Sequence, residues 1–513
     1  MKMRERTLSK PIKPSLKEQF FKLLPLAVIF FASLLFREYN VKDRKKWGGF
    51  MTGLHAVVLA AGKGTRMRSA LPKVLHTANG KPLLAYVIDA LKESNVQEEN
   101  MVVVVGHGAE QVRAAFDGAY HFVLQEPQLG TGHALQLAMP ALAGAEGYLL
   151  VVCGDTPLLR GETLRGLVDY ARQSQASATV LSAVLADPSG YGRLLRDEMG
   201  NLRAIVEQKD ASPSELAVKE INTGAYCFCL ADIRPLVAGL KNTNAQNEYY
   251  ITDLIAALVR EGKTVNALPV ADAEEILGVN DRVQLAQAAA ILRGRKLHAL
   301  MTAGVSVIDP AHTYIETDCQ VGVDTVIEPG VFLRGRCQIG ANCLLGPDSD
   351  IRDSIVGDGS RVQRSVLDGV QTGPCCEIGP FSYMRPGCVI GEKVKVGGFV
   401  EMKKALVDDG SKIPHLSYVG DAEIGKGVNI GCGTITCNYN GYTKEKTIIE
   451  DNVFVGSNSN LIAPVRLGEN AYIGAGSTIS RDVPADTLAV ARGKESHLPG
   501  WAAAFHAKNR KKQ

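Results

Sequence analysis

From Ile315 onward, apolar residues recur at a strict interval of six: Ile315, Val321, Ile327, Leu333, Ile339, Leu345 and Ile351. The register returns at Ile378, Met384, Ile390, Val396 and Met402, and again at Val455, Leu461, Leu467, Ile473 and Ile479. Glycine often follows the apolar residue, as at Gly322, Gly340, Gly391, Gly456 and Gly474. Neither the strand period of two nor the helical period of about 3.6 makes such spacing diagnostic. It does fit a coil of short parallel strands, with the apolar residue inward and small residues at the corners. A random glycine- and valine-rich β domain would not hold phase over so many repeats. The pattern predicts a left-handed parallel β-helix of hexapeptide coils over residues 304–513, C-terminal tail included. The register breaks near Val356–Glu377, Val407–Leu416 and Thr436–Thr447. These breaks are expected as loops, and loops on a rigid solenoid are where function tends to sit.

The preceding half has a different rhythm. Between Met51 and Asn280, apolar strand patterns such as Met101–Val105 and Tyr148–Val152 alternate with helical ones at Leu83–Leu91 and Gly161–Ala171. Continuous apolar runs suit strands covered on both faces. Residues 51–280 are therefore expected to form an α/β domain of Rossmann-like, mostly parallel, doubly wound type. Residues 281–303, rich in Ala, Leu, Arg and Gln, read as a linker helix. A chain of 513 residues allows two or three such domains.

The net charge of +3 and the lack of a basic, aromatic-interleaved stripe exclude a dedicated nucleic-acid binder. Eleven cysteines without metal-ligand spacing suggest free thiols in a reducing compartment. Residues 1–50 stand apart. Phe20 to Phe36 is apolar except for Lys22 and Ser33, and by length it lies at the lower edge of a membrane span. Met51 is a natural start directly before the first strand pattern. The extension is therefore expected to be a start-site artefact or a disordered, apolar segment, with no stable membrane partner.

The chemistry begins in Leu59-Ala60-Ala61-Gly62-Lys63-Gly64-Thr65-Arg66-Met67. An apolar strand ending in small residues leaves backbone N–H groups free to surround a phosphate. Arg66 and Lys73 can offset the negative charge. A bare Gly-x-Gly is a weak signal, but here Thr-Arg-Met and Pro72-Lys73 accompany it. The combination resembles nucleotidyltransferases that join a nucleoside triphosphate to a sugar 1-phosphate. Asp155, just past the strand pattern Tyr148–Val152, falls where open α/β sheets place ligands. Taken alone, an aspartate there is more often a helix cap than a metal ligand.

From Met51 to about Arg492 the chain resembles the bifunctional N-acetylglucosamine-1-phosphate uridyltransferase / glucosamine-1-phosphate acetyltransferase family. That resemblance implies a front half that makes UDP-N-acetylglucosamine and pyrophosphate from UTP and N-acetylglucosamine 1-phosphate. Asp155 and Asn280 would share one Mg²⁺, while Leu59, Ala60, Ala61 and Gly62, with Arg66 and Lys73, would take the nucleotide. Gln125, Gly130 and Thr131 resemble the uracil-recognising loop, and Gly192, Glu207 and Asn222 the sugar-binding set. His107 and His133 are read as structural.

The rear half would transfer acetyl from acetyl-CoA to glucosamine 1-phosphate, with His415 as the base that deprotonates the attacking ammonium. Arg385 and Lys403 are implied as clamps for the sugar phosphate. Tyr418, Asn429, Asn438 and Tyr439 match the remaining acceptor and acetyl contacts, with Lys444 a weaker match. Cys432, Ser457, Ala475 and Arg492 fall where the family contacts acetyl-CoA. Two departures stand out. Cys432 occupies a position where a smaller alanine is common, and Arg492-Gly493-Lys494-Glu495 lacks the usual apolar–proline character. The resemblance also implies a homotrimer and a bacterial cytoplasmic enzyme of cell-envelope precursor synthesis. A nucleotidyltransferase with a merely regulatory β-helix would have no use for His415, Arg385 and Lys403. A non-catalytic scaffold would have no use for Arg66, Lys73, Asp155 and Asn280.

Overall fold

The computed structural model describes residues 53–510, and the expectations for residues 1–50 and for a start at Met51 lie outside them. Among the described residues, no helix is long and apolar enough to cross a membrane.

The front domain is built on strands β1 (Leu54–Ala60), β2 (Met101–Val105), β3 (His121–Leu124), β4 (Tyr148–Cys153), β5 (Ala178–Val184), β6 (Glu220–Cys229) and β7 (Val265–Pro269). Their order across the sheet is β7-β5-β6-β4-β1-β2-β3. All neighbours are parallel except β6, which runs antiparallel to β4 and β5. Every residue of β2 is buried, as expected for a strand covered on both faces. One core layer gathers Leu84, Val87, Leu91, Leu164 and Leu167 beneath the sheet. A second gathers Leu135, Ile233, Leu254 and Leu258 on the other face. The chain runs from β1 to β2 on one side and returns to β4 on the other. The crevice at the carboxyl ends of β1 and β4 is thus the switch point of the sheet, where such folds bind ligands.

A helix over Arg282–Thr302 follows, capped by Asp281, whose Oδ1 accepts from Gln284 N at 2.9 Å. Its first half packs Ala288 and Leu292 against Leu83, Leu158 and Val279 of the front domain. Leu297 and Leu300 belong instead to the core of the rear domain. A single helix therefore enters two cores, which accounts for its apolar yet weakly periodic sequence. The contact is reinforced where Tyr86 Oη meets Thr317 Oγ1 at 2.6 Å and Lys296 Nζ donates to Thr317 O at 2.9 Å.

Beyond Val305, short strands stack in parallel register turn upon turn, with Val326 beside Leu344, Phe332 beside Asp350 and Phe454 beside Tyr472. The six-residue series points inward, and a second inward position two residues earlier carries small side chains. Cys319, Cys337, Cys343, Cys376 and Cys388 occupy it, buried among Ser349, Ser354 and Ser360. Here cysteine acts as a small apolar filler, and all eleven thiols of the chain are free. Inward hydroxyls satisfy the backbone locally: Ser354 Oγ donates to Arg352 O at 2.6 Å and accepts from Val370 N at 3.0 Å.

Two of the three expected loops are absent. Across Val356–Glu377 the coil continues through strands Arg361–Gln363, Val366–Asp368 and Gln371–Thr372. Inward residues Val362, Leu367 and Thr372 follow one another five apart, so the rung loses a corner residue without leaving the coil. Val407–Leu416 is likewise regular and contains strand Lys412–His415. Only Thr436–Thr447 leaves the coil as a true loop, closed by pairing of Tyr439 with Lys444. The tail holds an exposed helix, Trp501–Arg510.

Candidate functional site

At the switch point lies a cleft of about 460 Å³ whose walls include Leu59, Ala60, Ala61, Gly62, Lys73, Gln125, Gly130, Thr131 and Asp155. Gly62 lines it, and a Cβ added there would meet no protein atom, so the space beside the turn is open to a ligand. Asp155 extends from the end of β4, and its carbonyl accepts from Val279 N at 2.9 Å, drawing the 278–280 segment alongside. Lys73 Nζ pairs with Asp155 Oδ2 and donates to Asn280 Oδ1 at 3.1 Å. Three side chains from distant parts of the sequence thus converge on one point. One carboxylate and one amide oxygen form a hard-donor pair, which suits a divalent cation that keeps its waters and binds substrate phosphate. Arg66 stands apart, exposed on the short turn Thr65–Met67.

The loop that resembles a uracil-recognising segment is held by several hydrogen bonds. Gln125 is only 3% exposed, and its Nε2 donates to Gly130 O at 2.9 Å and lies 3.3 Å from His133 Nδ1. Its Oε1 has no hydrogen-bond partner among the described residues. Gly130 has φ +101°, and a Cβ there would lie 2.6 Å from Tyr249 O, so only glycine fits. Thr131 Oγ1 accepts from Ile251 N at 3.1 Å, tying the helix Thr131–Ala138 to the neighbouring segment.

The three residues expected to bind sugar come together. A hairpin of Arg193–Arg196 and Leu202–Val206 sets Arg193 opposite Val206, leaving Gly192 and Glu207 at its open end. Gly192 O accepts from Asn222 N at 2.9 Å. A Cβ at Gly192 would sit 3.3 Å from Glu207 Oε2 and 3.5 Å from Asn222 Cβ. Burial pushes the Glu207 carboxyl above the usual range, only partly opposed by a hydrogen bond from Thr252. Burial likewise pushes the Cys153 thiol up to about 12, so it stays protonated and inert.

Lys63, Gln128 and Glu248 also line the cleft. Gln128 was visible in the Gln125–Gly130 run and Lys63 in the Gly62–Gly64 turn. Glu248 had no motif, arriving because Tyr249 N donates to Leu129 O at 2.8 Å. His133, read as structural, turns out to contact the Gln125 amide.

A second assembly lies on the β-helix. Strands Glu401–Val407 and Tyr418–Ile424 run in parallel, setting Glu401 beside Tyr418 and Lys403 beside Gly420. One coil earlier, Arg385 donates to Glu401 Oε1 at 3.2 Å. The loop after Thr436 brings Lys444 against Lys403. The adjacent Lys444 amine holds Lys403 below the usual lysine range, Arg385 adding to the effect and Asp421 opposing it. At the root of this loop Asn438 is buried, its Nδ2 donating to Asp421 Oδ2 at 2.5 Å. Tyr439 is exposed and donates to Gly441 O at 2.5 Å.

His415 is exposed at the end of its strand, beside Gly398, and not in a loop as expected. The corner Leu416–Ser417 separates it from Tyr418. The pairing of Lys412 with Asn429, of Asn429 with Phe454 and of Phe454 with Tyr472 continues one column through His415, Cys432, Ser457 and Ala475. Arg492 joins its end, donating to Ala475 O at 2.8 Å. The six-residue register alone cannot show such a column, because stacking depends on where rungs are shortened.

A nucleotide-type cleft at a sheet switch point, joined to a hexapeptide coil that carries an exposed histidine and a separate cluster of cations, defines a nucleotidyltransferase fused to a hexapeptide-repeat transferase. Family models agree domain by domain. The MobA-like NTP transferase domain matches residues 56–213, the hexapeptide repeat of succinyl-transferase 313–347, and the bacterial transferase hexapeptide (six repeats) 446–481. The bifunctional protein GlmU of Brevibacillus brevis is 50% identical over 461 residues, covering 90% of this chain and 100% of that protein. That of Syntrophomonas wolfei is 52% identical over 447 residues, covering 87% and 99%. One from Listeria monocytogenes is 48% identical over 452 residues, covering 88% and 98%. The chain belongs to the GlmU family of bifunctional uridyltransferase–acetyltransferases of UDP-N-acetylglucosamine synthesis.

Proposed function

We propose that the cleft between β1 and β4 is the uridylyl-transfer centre and that the face carrying His415 is the acetyl-transfer centre. The observation that carries the first half is the convergence of Lys73, Asp155 and Asn280. A sugar phosphate is already an anion near neutral pH, so it needs no base to attack the α-phosphate of UTP. The protein must instead offset charge on that phosphate and on the departing pyrophosphate. Asp155 and Asn280 would hold Mg²⁺, which supplies charge neutralisation to the triphosphate. Lys73, beside the same two oxygens, adds a second positive charge. Backbone N–H groups after Ala60 take further phosphate oxygens. Gln125, with its amino group committed to Gly130 and His133, offers Oε1 to the uracil N3–H and so disfavours cytosine. Glu207 and Asn222, flanking Gly192, take the hydroxyls and acetamido group of N-acetylglucosamine 1-phosphate.

On the β-helix, Arg385, Lys403 and Lys444 form a cationic patch suited to the phosphate of glucosamine 1-phosphate. His415 accepts the proton that the ammonium must lose before it attacks the thioester. The column Cys432–Ser457–Ala475, ending at Arg492, offers acetyl-CoA a track that leads to His415, with Asn429 beside it. Tyr418, Asn438 and Tyr439 close the acceptor side.

Homotrimeric assembly fits the exposed apolar faces of the prism, among them Tyr383, Val389, Leu406 and Ile435 and the stacked pair Phe381–Phe399. The enzyme is assigned to the cytoplasm, where UTP and acetyl-CoA are made. The test is to supply glucosamine 1-phosphate, acetyl-CoA, UTP and Mg²⁺ together and identify the products by mass. UDP-N-acetylglucosamine, pyrophosphate and free coenzyme A are expected. UDP-glucosamine as the main product would overturn the order of steps.

A further inference from the structure

We infer that Asp421 is a positioning residue of the acetyl-transfer centre, fixing the Asn438 amide in one sense. The inference rests on the acetyl-transfer reading above. Asp421 occupies a corner of the coil at φ +47°, a conformation that aspartate tolerates better than most residues. Its Oδ2 receives the Asn438 Nδ2 at 2.5 Å, and Asn438 is only 7% exposed.

A carboxylate only accepts, so this partner admits a single orientation of the amide. Asn438 must present its amino group to Asp421 and keep Oδ1 for another donor. In the acetyl-transfer centre, the donor needing such a partner is the amine of the acceptor sugar, whose N–H bonds must be aimed before attack. A neutral partner would allow the amide to flip and present N–H to an amine that has nothing to accept with once its lone pair points at the thioester.

Crowding around Gly420 supports this. A Cβ added there would lie 2.5 Å from Tyr418 Oη and 2.8 Å from Asn438 Nδ2. Tyr418, Asn438 and Asp421 thus meet over a residue that has no side chain, directly opposite Lys403. Glu401 pairs with Arg385, and Asp421 is the carboxylate that offsets Lys403. Its hydrogen bond to Asn438 holds that carboxylate in place.

The test compares Asp421→Asn, Asp421→Glu and His415→Ala in the full chain, with kcat and KM measured separately for acetyl transfer. Denaturant unfolding monitored in the coil, on the same samples, reports whether the rear domain is folded. Asp421→Asn keeps the volume but loses the charge and the fixed sense of the amide. Its acetyl-transfer kcat is expected to fall about ten- to hundredfold, the worth of one charge-assisted hydrogen bond, with KM for glucosamine 1-phosphate raised. Asp421→Glu is expected to recover part of the loss. A role in folding alone would lower the unfolding midpoint of the coil and leave kcat per folded molecule unchanged. If Asp421→Asn does not fold, Asp421→Ser, which also removes the charged acceptor of the Asn438 amide, is expected to lower kcat likewise. Unchanged kcat and KM in the folded variant, with His415→Ala inactive, overturns the role of Asp421. An active His415→Ala overturns the acetyl-transfer reading, and this inference with it.

Discussion

Lys73 reaches across two sequence-distant oxygens, Asp155 Oδ2 and Asn280 Oδ1, and that small constellation sets what the front domain can do. Removing Asp155 deletes the charged half of the proposed cation-binding pair. Asp155→Ala is expected to reduce uridylyl transfer by about a thousandfold or more, the scale of losing a central electrostatic stabiliser, as read by pyrophosphate release. Glu207 yields a pH prediction. Burial raises its carboxyl pKa, so acidification neutralises it earlier than an exposed glutamate. The carboxylate is the better acceptor for sugar hydroxyls, so KM for N-acetylglucosamine 1-phosphate should rise as pH falls through that raised value. Glu207→Gln should remove this limb, leaving only the titration of the phosphate itself near pH ~6. Gly130→Ala, which drives a Cβ against Tyr249 O at a positive φ, is expected to cost on the order of 2 kcal/mol locally. Its measurable consequence is a raised KM for UTP with acetyl transfer intact. Most of these residues were legible because they sit in short motifs. The His133 contact to Gln125 was not, since a helix residue eight positions away becomes a neighbour only once Gly130 turns the chain.

At the scale of elements, the six-residue period was sufficient to foresee the coil because inward residues are set by burial, which sequence records directly. Shortened rungs were not legible as such. Val362, Leu367 and Thr372 break the count and so resemble loops, although each still points inward and pairs in register. That misreading put His415 in a loop when it closes a strand. Each coil contributes to one continuous core, so truncation inside it is felt strongly. Ile351 is fully buried, and Ile351→Ala is expected to destabilise the rear domain by about 3 kcal/mol. Denaturant unfolding monitored in the coil should show this while uridylyl transfer persists under native conditions.

Across the molecule, the two domains meet through one helix that enters both cores and through the Tyr86–Thr317 and Lys296–Thr317 contacts. The helix was foreseeable from composition; its division between two cores was not, because nothing local marks which of its leucines face which domain. The two centres share no side chain: one is an electrostatic cleft at a sheet switch point and the other a histidine column on a coil. Assaying both activities in Asp155→Ala and in His415→Ala tests this separation most directly. The expected result is reciprocal, uridylyl transfer lost and acetyl transfer retained in the first, and the reverse in the second. Loss of both activities from either substitution in a folded protein, or retention of acetyl transfer without His415, would contradict it.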